Sequence, residues 1–542
     1  LPTNRWLYRE ASGHDGIREA LNAGEVGAER ISCSGRKVNK GEDNNMCGIA
    51  ALWGRSDRAL VRDIISRLEH RGPDGTGIHV NEQPDATLGH RRLAIIDPSG
   101  GAQPLLEADA SSALVANGMI YNDRELRRQL GEDAFATATD SEAILQSLNA
   151  WGADAVARLD GMFAFVLIHE DGLIAARDPI GIKPLYMGRV GDGLCFASEI
   201  KALATVADDI KEFPAGHVFD SRTGFQAYYK PPEAKARSRS NSEMMTVLRE
   251  TLDAAVTKRL RSDVPLGAFL SGGLDSSIIA ALARQKLDEL HTFAVGLEDS
   301  ADLLAARQVA DHLDTIHHEY VITRDEVRQD LPKILFHLES FDRDLVRSAI
   351  PCWYVSRLAS EHVKVVLTGE GADELFAGYT YYRGYDDPRA LDQELRRSIQ
   401  SMHNINLQRV DRMTMAHGIE GRVPFLDTAM IEVAMSMPAE VKLKRIGDER
   451  VEKWILRKAF EDVLPSEIVW RDKVQFDEGS GLADLMADEA MQRDTERRPG
   501  SGDAKESRSS EEAYYRMILK DAFDEPAQVL SLVAHWDERP AA

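Results

Sequence analysis

Apolar residues follow two different rhythms along this chain. From Cys47 to about Phe219, short apolar runs alternate with turns built on Gly, Asp and Pro. Leu93-Ala94-Ile95-Ile96, Ala113-Leu114-Val115-Ala116 and Met162-Phe163-Ala164-Phe165-Val166-Leu167-Ile168 are examples. Runs of this length bounded by turn residues predict many strands and few helices. Residues 229–242 begin Tyr-Lys-Pro-Pro-Glu, continue in Lys, Arg, Ser and Asn, and have the composition of a linker. Beyond them the period changes. Glu243 to Leu260 and Ile278 to Leu287 read as helices, while Leu266 to Leu270, His291 to Leu297 and Val363 to Leu367 read as buried strands. Strands separated by helices imply a parallel sheet covered on both faces. Residues 477–512 are polar and are expected to form a loose surface excursion. No internal repeat is present.

Composition narrows the function classes. A chain of 542 residues exceeds one ordinary core, so two sizeable domains are expected. No run of about 18 apolar residues occurs, which argues against a transmembrane helix. The net charge of −23 disfavours a general nucleic-acid surface, because phosphate contacts call for basic patches. The four cysteines, Cys33, Cys47, Cys195 and Cys352, have neither disulfide-framework nor zinc spacing and fit a reducing, cytoplasmic setting.

Two stretches of the second region carry chemistry. Ser271-Gly272-Gly273-Leu274-Asp275-Ser276-Ser277 follows a predicted strand and opens a predicted helix. Glycines there let the backbone approach an anion, and serine hydroxyls and helix N-terminal amides can donate to it. Asp275 among such donors makes sense as a ligand of Mg²⁺ bridging to pyrophosphate oxygens. A glycine-rich helix cap is the plainer interpretation, but the full seven-residue string makes it improbable. Thr368-Gly369-Glu370-Gly371-Ala372-Asp373-Glu374 follows a later strand, and the carboxyl ends of parallel strands share one rim. Asp275 and Asp373 thus become candidate metal ligands, and Glu370 faces the reacting centre. Phe269 and Val295 are candidates for an apolar purine slot, although core packing explains them equally well. Lys473 is a candidate phosphate partner.

In the first region, Cys47 stands directly behind Met46 in Met46-Cys47-Gly48-Ile49-Ala50. With the methionine removed, one residue would carry both a thiol nucleophile and a free α-amino base. An amide-cleaving thiol needs an oxyanion hole, which Asn117 and Gly118 can supply. Arg92 could meet the α-carboxylate of glutamine and Asp140 its α-ammonium. Each of these alone would pass for a surface charge or turn residue. Residues 1–45 lack the apolar segment of a signal peptide. The expectation is that the functional chain starts at Met46 and that residues 1–45 are a non-native or disordered extension.

On these motifs, with Leu159-Asp160-Gly161-Met162-Phe163, Ala197-Ser198-Glu199-Ile200-Lys201 and Arg422-Val423-Pro424-Phe425-Leu426-Asp427, the chain from Met46 to about Ala527 resembles the glutamine-dependent asparagine synthetases. The resemblance implies two domains of α+β and α/β class. Residues 47–228 would be an αββα sandwich of the N-terminal-nucleophile type, acting as glutaminase. Residues 243–542 would be a parallel-sheet, adenine-nucleotide α-hydrolase-like synthetase domain with added helices. It implies ATP-dependent ligation of ammonia from glutamine to aspartate through β-aspartyl-AMP, with Mg²⁺ and possession of an internal ammonia tunnel. The implied glutamine site is Arg92, Asn117, Gly118, Met119 and Asp140, with Cys47, Asn117, Gly118 and Glu370 in catalysis. ATP would meet Phe269, Ser271, Gly272, Gly273, Asp275, Ser276, Val295, Thr368, Gly369 and Lys473, and the acceptor Arg347 and Asp373. A homodimer is a family expectation. Two departures stand out: Met119 replaces a common Glu, and Asp344-Leu345-Val346-Arg347-Ser348-Ala349 replaces Thr-Thr-Ile-Arg-Ala-Ser. The second leaves open a different carboxylate acceptor.

Overall fold

The computed structural model describes residues 7–8, 47–72, 74–232, 239–298, 300–472 and 507–536. Its first half is two six-stranded antiparallel sheets lying face to face. One runs Asp208–Glu212, Tyr186–Val190, Gly193–Ala197, Gly48–Trp53, Asp85–Arg92 and Gly75–Glu82. The other runs Gly224–Ala227, His217–Asp220, Gly172–Arg177, Gly161–His169, Ser112–Ile120 and Leu105–Leu106. Side chains alternate between faces along a strand. Ile49, Ala51, Val115, Val166 and Phe196 therefore meet between the sheets. Leu114, Phe163, Phe165 and Leu167 face outward onto the helices Asp123–Leu130 and Glu142–Trp151. Strand Gly161–His169 is covered on both faces, which is why it reads as one continuous apolar run. On the other side, Ala50 and Leu52 pack with Val61, Ile64 and Ile65 of helix Arg58–Ser66. The expected αββα layering is present.

The second half is built on a parallel sheet whose strands, in chain order, are Leu266–Phe269, His291–Gly296, Ile316–Val321, Val365–Leu367 and Glu420–Arg422. Across the sheet they lie third, second, first, fourth, fifth, and Leu7–Tyr8 pairs antiparallel with the outer third strand. Strand order thus reverses between Leu266–Phe269 and Val365–Leu367. Such a switch point is where ligands bind in open parallel sheets. The serine-glycine loop and the Thr368 loop leave these two strands, so topology alone brings them together.

Three predicted strands and two predicted helices occur with ends shifted by a few residues. Helix Asn241–Arg259 starts at a capping box in which Ser240 and Glu243 bond reciprocally. Two parallel strands escape the apolar pattern: Ile316–Val321 reads Ile-His-His-Glu-Tyr-Val, and Glu420–Arg422 reads Glu-Gly-Arg. The expectation of a loose segment to residue 512 fails at its end. Helix Ser510–Asp521 begins inside it, with Glu511 and Glu512 buried. Positions 473–506 lie outside the described residues, as do residues 1–46 apart from Leu7–Tyr8.

Candidate active sites and the charges between them

Cys47 sits just before the central strand Gly48–Trp53, in a small cavity of about 30 Å³ lined by Arg92, Asn117, Gly118, Met119 and Asp140. All five predicted glutamine-site residues converge there. Its thiol donates to the Leu93 carbonyl at 3.7 Å. Burial pushes that thiol up to about 11, so the environment does not itself make a thiolate. A nearby base is required. Asn117 is fully buried, and among the described residues neither its side-chain oxygen nor its nitrogen has a hydrogen-bond partner. An orphaned amide is costly unless a ligand satisfies it. Gly118 has φ +151, and a Cβ there would come within 2.0 Å of the Met162 carbonyl oxygen, so only glycine fits.

Arg92 donates to the main-chain carbonyls of Asp97 and Pro98 at 2.6 and 2.8 Å, which orient it without cancelling its charge. Asp140 accepts from the Ile120 amide at 2.7 Å. Burial, helped by the charges of Asp123 and Glu420, raises its carboxyl to about 6. A cation and an anion thus flank the thiol. Met119 is buried in the apolar cluster with Leu93, Ile95 and Ile96. The pocket wall also includes Glu420, from the last strand of the parallel sheet. Sequence reasoning missed this residue, since a charged three-residue strand carries no period.

The second cavity is about 360 Å³ and lies at the switch point. Phe269, Ser271, Gly273, Asp275, Ser276, Val295, Arg347, Thr368, Gly369, Glu370 and Asp373, all predicted, line it. Gly272 adopts φ +71, and a Cβ there would meet the Ala305 backbone at 2.5 Å. Gly369 approaches so closely that its Cβ would lie 2.9 Å from the Ser276 amide nitrogen. Glycine thus permits the two loops to touch.

Most charges lining this cavity are already paired. Buried Lys453 bonds Asp275 at 2.5 Å and Asp373 at 2.6 Å. Arg409 pairs with Glu370. Arg347, expected to await an acceptor carboxylate, is gripped by both oxygens of Glu511 at 2.8 and 2.6 Å, and Tyr515 donates to the same carboxylate. Glu374 is raised to about 7, by burial and then by neighbouring Asp373, and accepts from Tyr379 and Asn406. Predicted Lys473 lies outside the described residues. Arg471, two positions earlier, lines the cavity and contacts the Gly272 carbonyl and Asp302. Lys453 has φ +55 at the start of a short helix, a position no sequence period marks.

For a divalent cation, Asp275 and Asp373 are the donors that fit. Both carboxylates already converge on one positive group, and Oδ1 of Asp275 is buried with no hydrogen-bond partner among the described residues. Hard cations prefer such oxygen ligands. His291, His318 and His362 also cluster, toward the N-terminal ends of the strands. Their rings lie within 24° of parallel, and His291 and His318 share a hydrogen bond at 2.9 Å. The rings stack, and one nitrogen of each lies within 4.8 Å of the other two.

The matching families are Asparagine synthase, over residues 247–387 and 384–538, and Glutamine amidotransferase domain, over residues 46–252. Asparagine synthetase [glutamine-hydrolyzing] of Zea mays is 40% identical over 512 residues, covering 88% of this chain and 86% of that one. The chain belongs to the glutamine-hydrolysing asparagine synthetases. A second relative in this family, asparagine synthetase [glutamine-hydrolyzing] 2 of Oryza sativa subsp. japonica, is 42% identical over 462 residues, covering 81% of this chain and 78% of its own. Number 1 of Arabidopsis thaliana is 38% identical over 517 residues, at 90% and 88% coverage. The two family matches correspond to the two cavities: the amidotransferase match holds Cys47, and the synthase matches hold Glu370, Arg409 and Lys453.

Proposed function

We propose that this chain makes asparagine from aspartate and ATP, with glutamine as nitrogen donor, releasing glutamate, AMP and pyrophosphate. It would thus be a ligase forming C–N bonds. The observation that carries the reading is the shared wall of the Cys47 pocket. Glu420 of the synthetase sheet closes it, and one buried apolar cluster contains Leu93, Ile95, Ile96 and Met119 together with Val365, Leu367 and Ala372 beside the Glu370 loop. An apolar path suits neutral ammonia and keeps water from the activated acyl group.

Once the residues before it are removed, the freed α-amino group of Cys47 takes the thiol proton as Sγ attacks the glutamine side-chain carbonyl. The C–N bond breaks, ammonia leaves, and water then cleaves the thioester to give glutamate and the thiol. Asn117 and the Gly118 amide hold the oxyanion, and Arg92 and Asp140 hold the two charged ends of the substrate. In the other cavity the aspartate β-carboxylate attacks the α-phosphorus of ATP and pyrophosphate leaves. Lys453 exchanges its carboxylates for phosphate oxygens, while the Ser271–Ser276 loop cradles the anion. Asp275 and Asp373 would hold Mg²⁺, which when bound neutralises phosphate charge. Glu370 accepts a proton as ammonia attacks the β-aspartyl adenylate, and AMP departs. Arg347 meets the acceptor once Glu511 yields. The two domains are taken to meet at 229–242. The setting is proposed to be cytoplasmic, in keeping with Cys47, Cys195 and Cys352 all being free thiols, and the assembly a homodimer.

The test is product balance. Glutamine, aspartate and MgATP should give asparagine, AMP and pyrophosphate in equal amounts. Faster turnover of another carboxylic acid, or ADP as product, would sink the proposal.

A further inference from the structure

Between the two sites lies a cluster of charges that the chemistry above does not use. Arg71 is fully buried; its Nε donates to the Cys47 carbonyl at 3.3 Å. Its other nitrogens donate to Glu199 at 2.6 Å and to both oxygens of Asp411 at 2.8 and 3.2 Å. Asp411 belongs to helix Asn406–Met415 of the synthetase half. Arg412, next on that helix, bonds Glu339 at 2.8 Å and Glu199 at 3.3 Å, and Lys201 joins the same two carboxylates. Two residues before Asp411, and so roughly 200° around the helix, Arg409 pairs with Glu370. One helix therefore holds the synthetase glutamate on one side and, through Arg71, the backbone of Cys47 on the other. Buried charge pairs tolerate little partial displacement, because a lost partner leaves a charge desolvated and alone. Such an element favours two discrete settings over a continuum.

We propose that helix Asn406–Met415 makes glutamine cleavage at Cys47 answer to the state of the acceptor site, with Asp411 and Arg71 as positioning residues. The inference rests on the roles given above to Cys47 and Glu370. When ATP and the acceptor fill the second cavity and draw Glu370 from Arg409, the helix resettles, and Asp411 carries the change to Arg71 and the Cys47 carbonyl. Linkage is reciprocal for binding, so glutamine in its pocket must also alter acceptor affinity.

The test compares the full-length enzyme with Asp411→Asn, which keeps size and removes charge, and Asp411→Glu, which restores it. Ammonia-driven synthesis, and glutaminase without ATP and aspartate, should each stay within about threefold, whereas acceleration of glutaminase by ATP and aspartate should fall by about fivefold or more. Glutamate formed per asparagine should rise from near parity to several, and Asp411→Glu should recover part of the loss. Unchanged acceleration and ratio would overturn the inference. So would an equal loss of all activities that Asp411→Glu does not relieve. Should Asp411→Asn fail to fold, the unmodified enzyme decides: alkylating Cys47 with an electrophilic glutamine analogue should shift the aspartate dependence of ATP–pyrophosphate exchange and the backbone hydrogen exchange of residues 406–415. No change in either overturns the proposal. Retained glutamine use in Cys47→Ala would overturn the catalytic reading and this inference with it; uncoupled outcomes at Asp411 bear on the inference alone.

Discussion

The two cavities of this molecule prepare for their substrates in opposite ways. Around Cys47, polar groups are left waiting: among the described residues the Asn117 side chain has no partner, Arg92 is held by carbonyls and Asp140 by one amide. At the switch point, charges are already matched, as Lys453 with Asp275 and Asp373, Arg409 with Glu370, and Arg347 with Glu511. The volumes differ in the same sense, about 30 Å³ against about 360 Å³. A small uncharged amide can be met by a pocket with unsatisfied dipoles. A cavity for a polyanion cannot leave its cations and carboxylates bare, since unpaired buried charge is expensive. It holds them against one another and exchanges partners on binding. The difference teaches that the first site has its polar groups in place but must widen to admit glutamine, while the second exchanges partners as its substrate binds.

The largest effect should come from breaking the first site alone. Cys47→Ala is expected to abolish glutamine-driven synthesis while ammonia-driven synthesis stays within about threefold, measured as asparagine from each nitrogen source. Asn117→Ala should lower glutaminase kcat by about 10²–10³, as loss of one oxyanion donor does. Next, Lys453→Met breaks the prepaired site. Synthesis from either nitrogen source should fall about 10²-fold or more, with basal glutaminase intact. Parallel loss of glutaminase would mean that the two sites are not separable.

A pH series sharpens the contrast. Asp140 must be ionised to hold an ammonium, and its carboxyl lies near 6 because it is buried. The KM for glutamine should therefore rise about tenfold per pH unit below that value, while ammonia-driven synthesis keeps its own profile. The stability sign runs the other way. A carboxyl raised above its unfolded value stabilises the fold fully below about 3.8, and the contribution is lost as pH climbs through about 6. The smallest effect is expected from Glu511→Gln, which removes one charge partner of Arg347 while keeping a partner for Tyr515. The KM for aspartate should drop about threefold, on the scale of one weakened charge pair.

Legibility in the sequence followed local chemistry. Cys47, Asn117, Gly118, the Ser271 loop and the Glu370 loop were readable because each motif concentrates unusual residue types within a few positions. Arg92, Asp140 and Arg347 were readable only in company, and the tertiary contacts of Arg347 with Glu511 were not. Lys453, Arg409 and Glu420 gave no local sign, and Arg71 was visible only as part of the run His70-Arg71-Gly72-Pro73-Asp74, with no role attached. They are ordinary charged residues whose meaning comes from partners far along the chain, up to 340 positions away for Arg71 and Asp411. The strands Ile316–Val321 and Glu420–Arg422 were hidden for a related reason. Their polar residues find partners within the strand, on the next strand or on covering helices, as Arg422 with Glu420 and the Arg259 carbonyl and Glu319 with Arg307, so no apolar alternation was needed to make them strands.

By itself the sequence determined the alternation of apolar runs, hence two layered domains, and the glycine positions where only a missing Cβ permits loop contact. It also determined which nucleophile and which anion-binding loop are available. Tertiary structure decided everything that depends on distance. It set the strand reversal that joins two loops nearly 100 residues apart, the pairing of most buried charges, and the helix that pairs with Glu370 and reaches the Cys47 carbonyl through Arg71. Backbone propensity and side-chain chemistry act over a few residues, whereas desolvation forces buried charges to find partners wherever the fold brings them.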